Sequence, residues 1–150
     1  MRRRYIDITV PTSASPETVY GLLADSSTWT RWTPMDSVQL ERKGDPAPEG
    51  PGAIRVNTMG KTTGRDEILE LEPNRRLKYA SLSGLPVRDY VGEVTLTRVP
   101  SGGTEINWHS SFFPKVPGTG WLLQRGIRKF LGECARGLAA YAPTVSETRA

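Results

Sequence analysis

Two periods divide the hydrophobic positions of this chain. In RYIDITV, residues 4–10, Ile6, Ile8 and Val10 alternate with Asp7 and Thr9, the period of two expected of a half-buried strand. SASPETVYGLLAD then changes to helical spacing. Ser15 is placed to cap the helix, Pro16 fits its first position, and Glu17 suits the positive end of its dipole. Val19, Leu22 and Leu23 supply a short apolar face. SSTWTRWTP predicts a second short helix, capped by Ser26 or Ser27 and stopped by Pro34, with Trp29 and Trp32 on one side.

From residue 35 to residue 113 the pattern is strand throughout, with predicted strands at 37–42, 53–59, 65–72, 76–82, 89–99 and 104–113. The breaks KGDPAPEGPG, MGKTTG, EPN, SGLPV and PSGG carry turn chemistry, and connections this short make antiparallel neighbours. The chain closes on GWLLQRGIRKFLGECARGLAAY, residues 120–141, a helix spanning roughly 33 Å. Leu123, Ile127, Phe130, Leu131, Cys134, Leu138 and Tyr141 form one apolar stripe opposite Arg125, Arg128, Lys129 and Arg136. Pro143 is expected to end this helix, leaving residues 143–150 as a flexible tail behind a single domain of residues 1–142. One strand, two short helices, six antiparallel strands and one long amphipathic helix make an α+β layout. Only the last helix is long enough to cover the apolar face of a seven-stranded sheet, so the sheet is expected to curve around it.

Composition adds exclusions. The chain has 150 residues, 37% hydrophobic and 24% charged, ordinary for a soluble domain. A net charge of +4 comes without a basic run interleaved with aromatics, which argues against a nucleic-acid partner. No apolar run approaches the length needed to cross a bilayer, and the basic start MRRRYIDITVPT lacks the apolar core of a signal peptide, so no membrane insertion and a cytoplasmic location are expected. The single cysteine excludes an internal disulfide. The absence of Cys/His clusters and of a phosphate-binding glycine loop leaves no metal and no cofactor expected. Nothing decides between monomer and dimer.

The order of elements, with VPTSASPETVYGLLAD, STWTRWTPM, ILELEPNRRLKY, YVGEVTL, GGTEINW and the final GLAAY helix, resembles the START-like, or birch-pollen-allergen-like (SRPBCC), superfamily. Within it the chain is most similar to the bacterial polyketide cyclase/dehydrase and lipid-transport branch. The resemblance spans residues 5–142 and implies a helix-grip fold with a large apolar cavity between sheet and helix. That superfamily contains enzymes, carriers and interaction modules, so it implies no single function.

Strand phase sorts the candidates. Histidine is the usual first suspect for acid–base chemistry, and this chain has one, His109. Ile106, Trp108 and Phe112 share the apolar face of their strand, which puts His109 on the solvent side. Trp32, Tyr79, Tyr90 and Trp108 are aromatic pocket candidates, each equally readable as filler of a curved sheet. Ile127 and Phe130 of the last helix join them. Glu67 enters the cavity if Leu69 and Leu71 point inward; if a bulge reverses the phase, Asp66 enters instead. Arg55 alternates with Ile54 and Val56 and is placed outside. Gly126 and Gly137 lie at the edges of the helix stripe, where a missing side chain would leave room for a ligand. Cys134, central in the stripe, reads as an inert core thiol. Leu85 and Val87 in one loop, and Phe113, Val116 and Trp121 in another, are placed to form a cavity mouth.

Two functions fit. One is binding of a hydrophobic small molecule: a lipid, isoprenoid or aromatic polyketide. The other is a cyclase or dehydrase, with Glu67 as base and Tyr79 and Tyr90 polarising carbonyls. An interaction module using the basic face of the last helix ranks behind both. Convergent polar groups deep in the pocket would favour catalysis, and a purely apolar lining would favour carriage.

Overall fold

The structure, a computed structural model, describes residues 2–149, with side chains described for residues 2–145. Seven strands form one sheet: β1 (Arg4–Thr12), β2 (Ser37–Arg42), β3 (Ile54–Met59), β4 (Thr62–Glu72), β5 (Arg76–Ser83), β6 (Val87–Arg98) and β7 (Thr104–Pro114). Their spatial order is β1-β7-β6-β5-β4-β3-β2, so β2 to β7 make an antiparallel meander and β1 closes against β7. Helix α1 (Pro16–Ala24) and a 3-10 helix (Ser26–Arg31) follow β1, and the long α2 (Gly120–Arg149) closes the chain. This is the expected α+β helix-grip layout.

Local sequence explains the entry elements. The Ser15 hydroxyl accepts from Thr18 N at 3.3 Å, with Pro16 in the first helical position. The 3-10 helix is capped by neither expected serine but by Asp25, whose carboxylate accepts from Ser27 N at 3.0 Å. Ser26 N is bound instead by Glu49, from the loop between β2 and β3.

The core lies between the inner face of the sheet and α2. Ile6, Ile106, Trp108 and Phe112 meet Leu131, Cys134, Ala135 and Leu138 there, with Val19 and Leu23 of α1 closing one end.

The expected stop at Pro143 is corrected, because the α2 backbone continues to Arg149. Proline has no N–H to donate to the carbonyl four residues back, here that of Ala139. That carbonyl accepts from the Thr12 hydroxyl at the end of β1, at 2.8 Å, so the helix passes through without an orphaned acceptor. Residue 150 and the side chains of residues 146–150, part of the expected tail, lie outside the described residues. Among the described residues, no helix is long and apolar enough to cross a membrane.

Candidate ligand-binding site

A cavity of about 330 Å³ opens between the N-terminal half of α2 and the inner faces of β2 to β7. From α2 its wall takes Leu122, Leu123, Gly126, Ile127, Phe130 and Leu131. From the sheet it takes Tyr79, Tyr90 and Trp108, with Trp29 closing it from the 3-10 helix. Leu85 and Leu122 line the cavity and are also exposed, which marks that end as the mouth. The β5–β6 loop and the β7–α2 loop meet there, with Lys115 N donating to Pro86 O at 3.0 Å.

Tyr79, Tyr90, Trp108, Ile127 and Phe130 thus line the cavity, whereas Trp32 and Glu67 do not. Trp32 stacks behind Trp29, ring centroids 4.7 Å apart, and its indole donates to the Thr28 hydroxyl at 3.2 Å. Its carbonyl packs on Gly137 of α2 so closely that a Cβ there would overlap it. The glycine at 137 therefore accommodates a helix contact rather than a ligand, a second correction. Gly126 does border the cavity, with open space where a Cβ would project.

Glu67 faces outward, its carboxylate 3.7 Å from Arg42, and Asp66 lines the cavity in its place. The cause is a register shift between Ile68 and Glu70. Before it, Asp66 and Ile68 point inward; after it, Leu71 pairs with the inward-facing Leu77. Leu69 and Leu71 are the phase markers for Glu67, and a bulge at the first makes the second a false one.

Arg55 is the larger correction. It is 4% exposed, lines the cavity, and pairs across the ladder with Asp66. Its Nε lies 2.9 Å from Glu49, its Nη2 donates to Leu23 O at 3.1 Å and Ala24 O at 3.2 Å, and Trp29 lies against the guanidinium. Strand β3 turns Arg55 and Asn57, with Met59 beyond them, to the cavity, and Ile54 and Val56 take the other face. The rule of apolar residues inward fails because the C-terminal carbonyls of α1 and the Glu49 carboxylate supply partners for a buried cation. Burial pushes the guanidinium below its usual value, opposed by Glu49 and Asp66.

Asp66 accepts from Asn57 Nδ2 at 3.2 Å. Desolvation pushes its carboxyl from the usual 3.8 up to about 7, against the pull of Arg55. Tyr79 crosses β6 over Gly92, where any Cβ would overlap its ring, and its hydroxyl accepts from Trp108 Nε1 at 3.1 Å. Burial raises both cavity phenols, Tyr90 to about 12 and Tyr79 well above its usual value, so both are neutral hydrogen-bonding groups.

The remaining candidates sit as follows. His109 is on the outer face, as expected, with Nδ1 2.6 Å from Asn107 Oδ1 and Nε2 3.2 Å from Glu93. Cys134 is buried and its thiol is pushed up by desolvation, which suppresses the reactive thiolate. Trp29, Asn57 and Leu122 line the cavity without having been singled out. A tryptophan three residues from another was the available sign for the first.

A curved antiparallel sheet gripping a long helix, with a half-open aromatic cavity between them, is the architecture of the START-like, birch-pollen-allergen-like superfamily. Residues 4–143 match the profile described as polyketide cyclase / dehydrase and lipid transport, and the chain belongs to that family. Among solved structures it is similar to a START superfamily protein from Mycobacterium smegmatis, with TM-score 0.80, 12% identity and coverage of 94% of this chain and 98% of that one. It is also similar to the Zhui aromatase/cyclase from a Streptomyces species, with TM-score 0.78, 16% identity and coverage of 95% and 94%. Ara h 8.0201 aligns at TM-score 0.78 with 12% identity over 95% of this chain and 99% of its own. At these identities the likeness speaks for the fold alone. No curated protein matches the chain by sequence.

Proposed function

We propose that the protein binds a hydrophobic small molecule in the cavity between sheet and α2, with residues 1–142 acting as a single ligand-binding domain. The observation that carries this reading is the cavity itself: about 330 Å³, aromatic and aliphatic on most of its wall, with a mouth between two loops. Tyr79, Tyr90, Trp108, Ile127 and Phe130 supply contact area, and the polar wall of Asp66, Asn57 and Arg55 orients the ligand. Native mass spectrometry of the protein isolated from its own host, followed by denaturation to release any bound compound, tests it. A retained lipid-like or aromatic compound is the expected outcome. An empty protein that also fails to take up hydrophobic fluorescent probes would sink the reading.

A second reading, a cyclase or dehydrase, is favoured by one observation. Several polar groups converge on the cavity, and Asp66, with its carboxyl raised to about 7, suits proton transfer near neutral pH. The proton-transfer group of that reading is Asp66 in place of Glu67, with Tyr79 and Tyr90 as hydrogen-bond donors to substrate carbonyls. Family membership and the likeness to an aromatase/cyclase are compatible with either reading.

A further inference from the structure

The polar wall of the cavity holds an unbalanced charge. Arg55 and Glu49 neutralise each other at 2.9 Å, and Nη2 of Arg55 donates to the last carbonyls of α1. Asp66 remains. When ionised it leaves the group of Arg55, Glu49 and Asp66 with one negative charge in excess (+1 − 1 − 1). The other groups facing it do not cancel that charge. Asn57 of β3 donates one neutral hydrogen bond, Tyr79 of β5 and Tyr90 of β6 are neutral phenols, and α2 presents only Leu123, Gly126, Ile127, Phe130 and Leu131 alongside Leu122 at the mouth. Asp25 lies beyond Arg55 and adds to the negative side.

An unpaired carboxylate in an apolar cavity is costly, and either a proton or a cation relieves it. The rings of Trp29, Tyr79, Tyr90 and Trp108 border the same space, and aromatic rings attract cations. We propose that Asp66 makes this cavity selective for hydrophobic molecules that carry a protonated amine, and against those that end in a carboxylate. The inference rests on the ligand-cavity reading above and adds the polar class of the ligand. A carboxylate ligand would place a second uncompensated negative charge beside Asp66, whereas a protonated amine would balance the first.

The test uses three probes with one skeleton: naphthylethylamine, naphthylethanol and naphthylacetate. Their affinities are measured by calorimetry on the intact protein and on Asp66→Asn, at about pH 8.5 and about pH 5.5, either side of the Asp66 titration. At the higher pH the amine is expected to bind at least about tenfold more tightly than the acetate, with the alcohol between them. That advantage should shrink at the lower pH, where Asp66 holds its own proton, and should be lost in Asp66→Asn. An acetate that binds as well as the amine at the higher pH overturns the proposal, as does an amine preference that survives in Asp66→Asn. Equal binding of all three probes overturns the selectivity while leaving the cavity reading standing, and no binding of any probe removes both. If Asp66→Asn does not fold, the pH series on the unmodified protein decides alone.

Discussion

Tyr79 reaches Trp108 across an intervening strand only because residue 92 carries no side chain. The pair Tyr79–Gly92 is in register, and the ring lies where a Cβ of residue 92 would stand. A glycine in mid-strand weakens a sheet unless something approaches it closely, and here the approach is an aromatic ring that completes the cavity wall. The Trp108 indole N–H is buried and donates to the Tyr79 hydroxyl at 3.1 Å. Tyr79→Phe keeps the ring and removes the acceptor, leaving a buried donor unsatisfied. It is expected to cost about 1–3 kcal/mol, read as a lower urea midpoint with an unchanged slope. A variant as stable as the parent would mean that Trp108 has another partner. Arg55 shows the limit of reading single residues from sequence. Nothing local marks it as buried, because its partners are a carboxylate six residues back in a loop and two carbonyls at the end of a helix more than thirty residues away.

Helix α2 divides into two functional lengths. Its first turns line the cavity and leave open space at Gly126, and its later turns pack directly on the core through Cys134, Ala135, Leu138 and Ala142. The tight half anchors the helix so that the loose half can stand off the sheet. Within the anchor, the Ala139 carbonyl, denied its helical donor by Pro143, depends on the Thr12 hydroxyl. Thr12→Val is therefore expected to destabilise the fold by about 1–2 kcal/mol. Pro143→Ala returns a backbone donor, so Thr12→Val should cost less in that background, a coupling that a double-mutant cycle of thermal melts measures directly. Strictly additive effects would refute the link. The elements themselves were legible because most strands and α2 place apolar residues at the period of their own geometry. Two strands broke that rule. In β3 the inner face carries Arg55 and Asn57, and in β4 a bulge flips the phase between Ile68 and Glu70. Alternation reports burial only where the buried face is apolar and the ladder is regular, and neither condition holds along the polar wall of the cavity. Proline likewise reads as a helix stop until a side chain from another element serves the freed carbonyl.

At the scale of the molecule, most of the departures from sequence rules gather in one place. Arg55, Asn57, Asp66, Gly92 and the β4 bulge all lie on or beside the cavity, whereas at the packed end the departure is the helix that runs on through Pro143. Local inconsistency of this kind is expected where a structure gives up stability for a site. Asp66 makes that cost measurable through pH. Its carboxyl titrates at about 7 in the folded protein, against an ordinary value of 3.8. Between those values the folded state binds more protons than the unfolded chain, so this group's contribution is fully present at acidic pH and is lost as pH rises through about 7. The exposed carboxylates Glu17 and Glu41 are shifted the opposite way, Glu17 first by its own backbone hydrogen bond and Glu41 first by Arg65. Both lie on the surface and are shared by any Asp66 variant, so their contributions cancel in a comparison. The stability of the parent minus that of Asp66→Asn, followed by denaturant titration from about pH 4 to about pH 8, should therefore fall with rising pH, most steeply midway between 3.8 and about 7, and level off above that. A flat difference would show that the Asp66 carboxyl is solvated, and a rising one that Arg55 outweighs the desolvation. Either result would remove the excess buried charge on which the proposed amine selectivity depends.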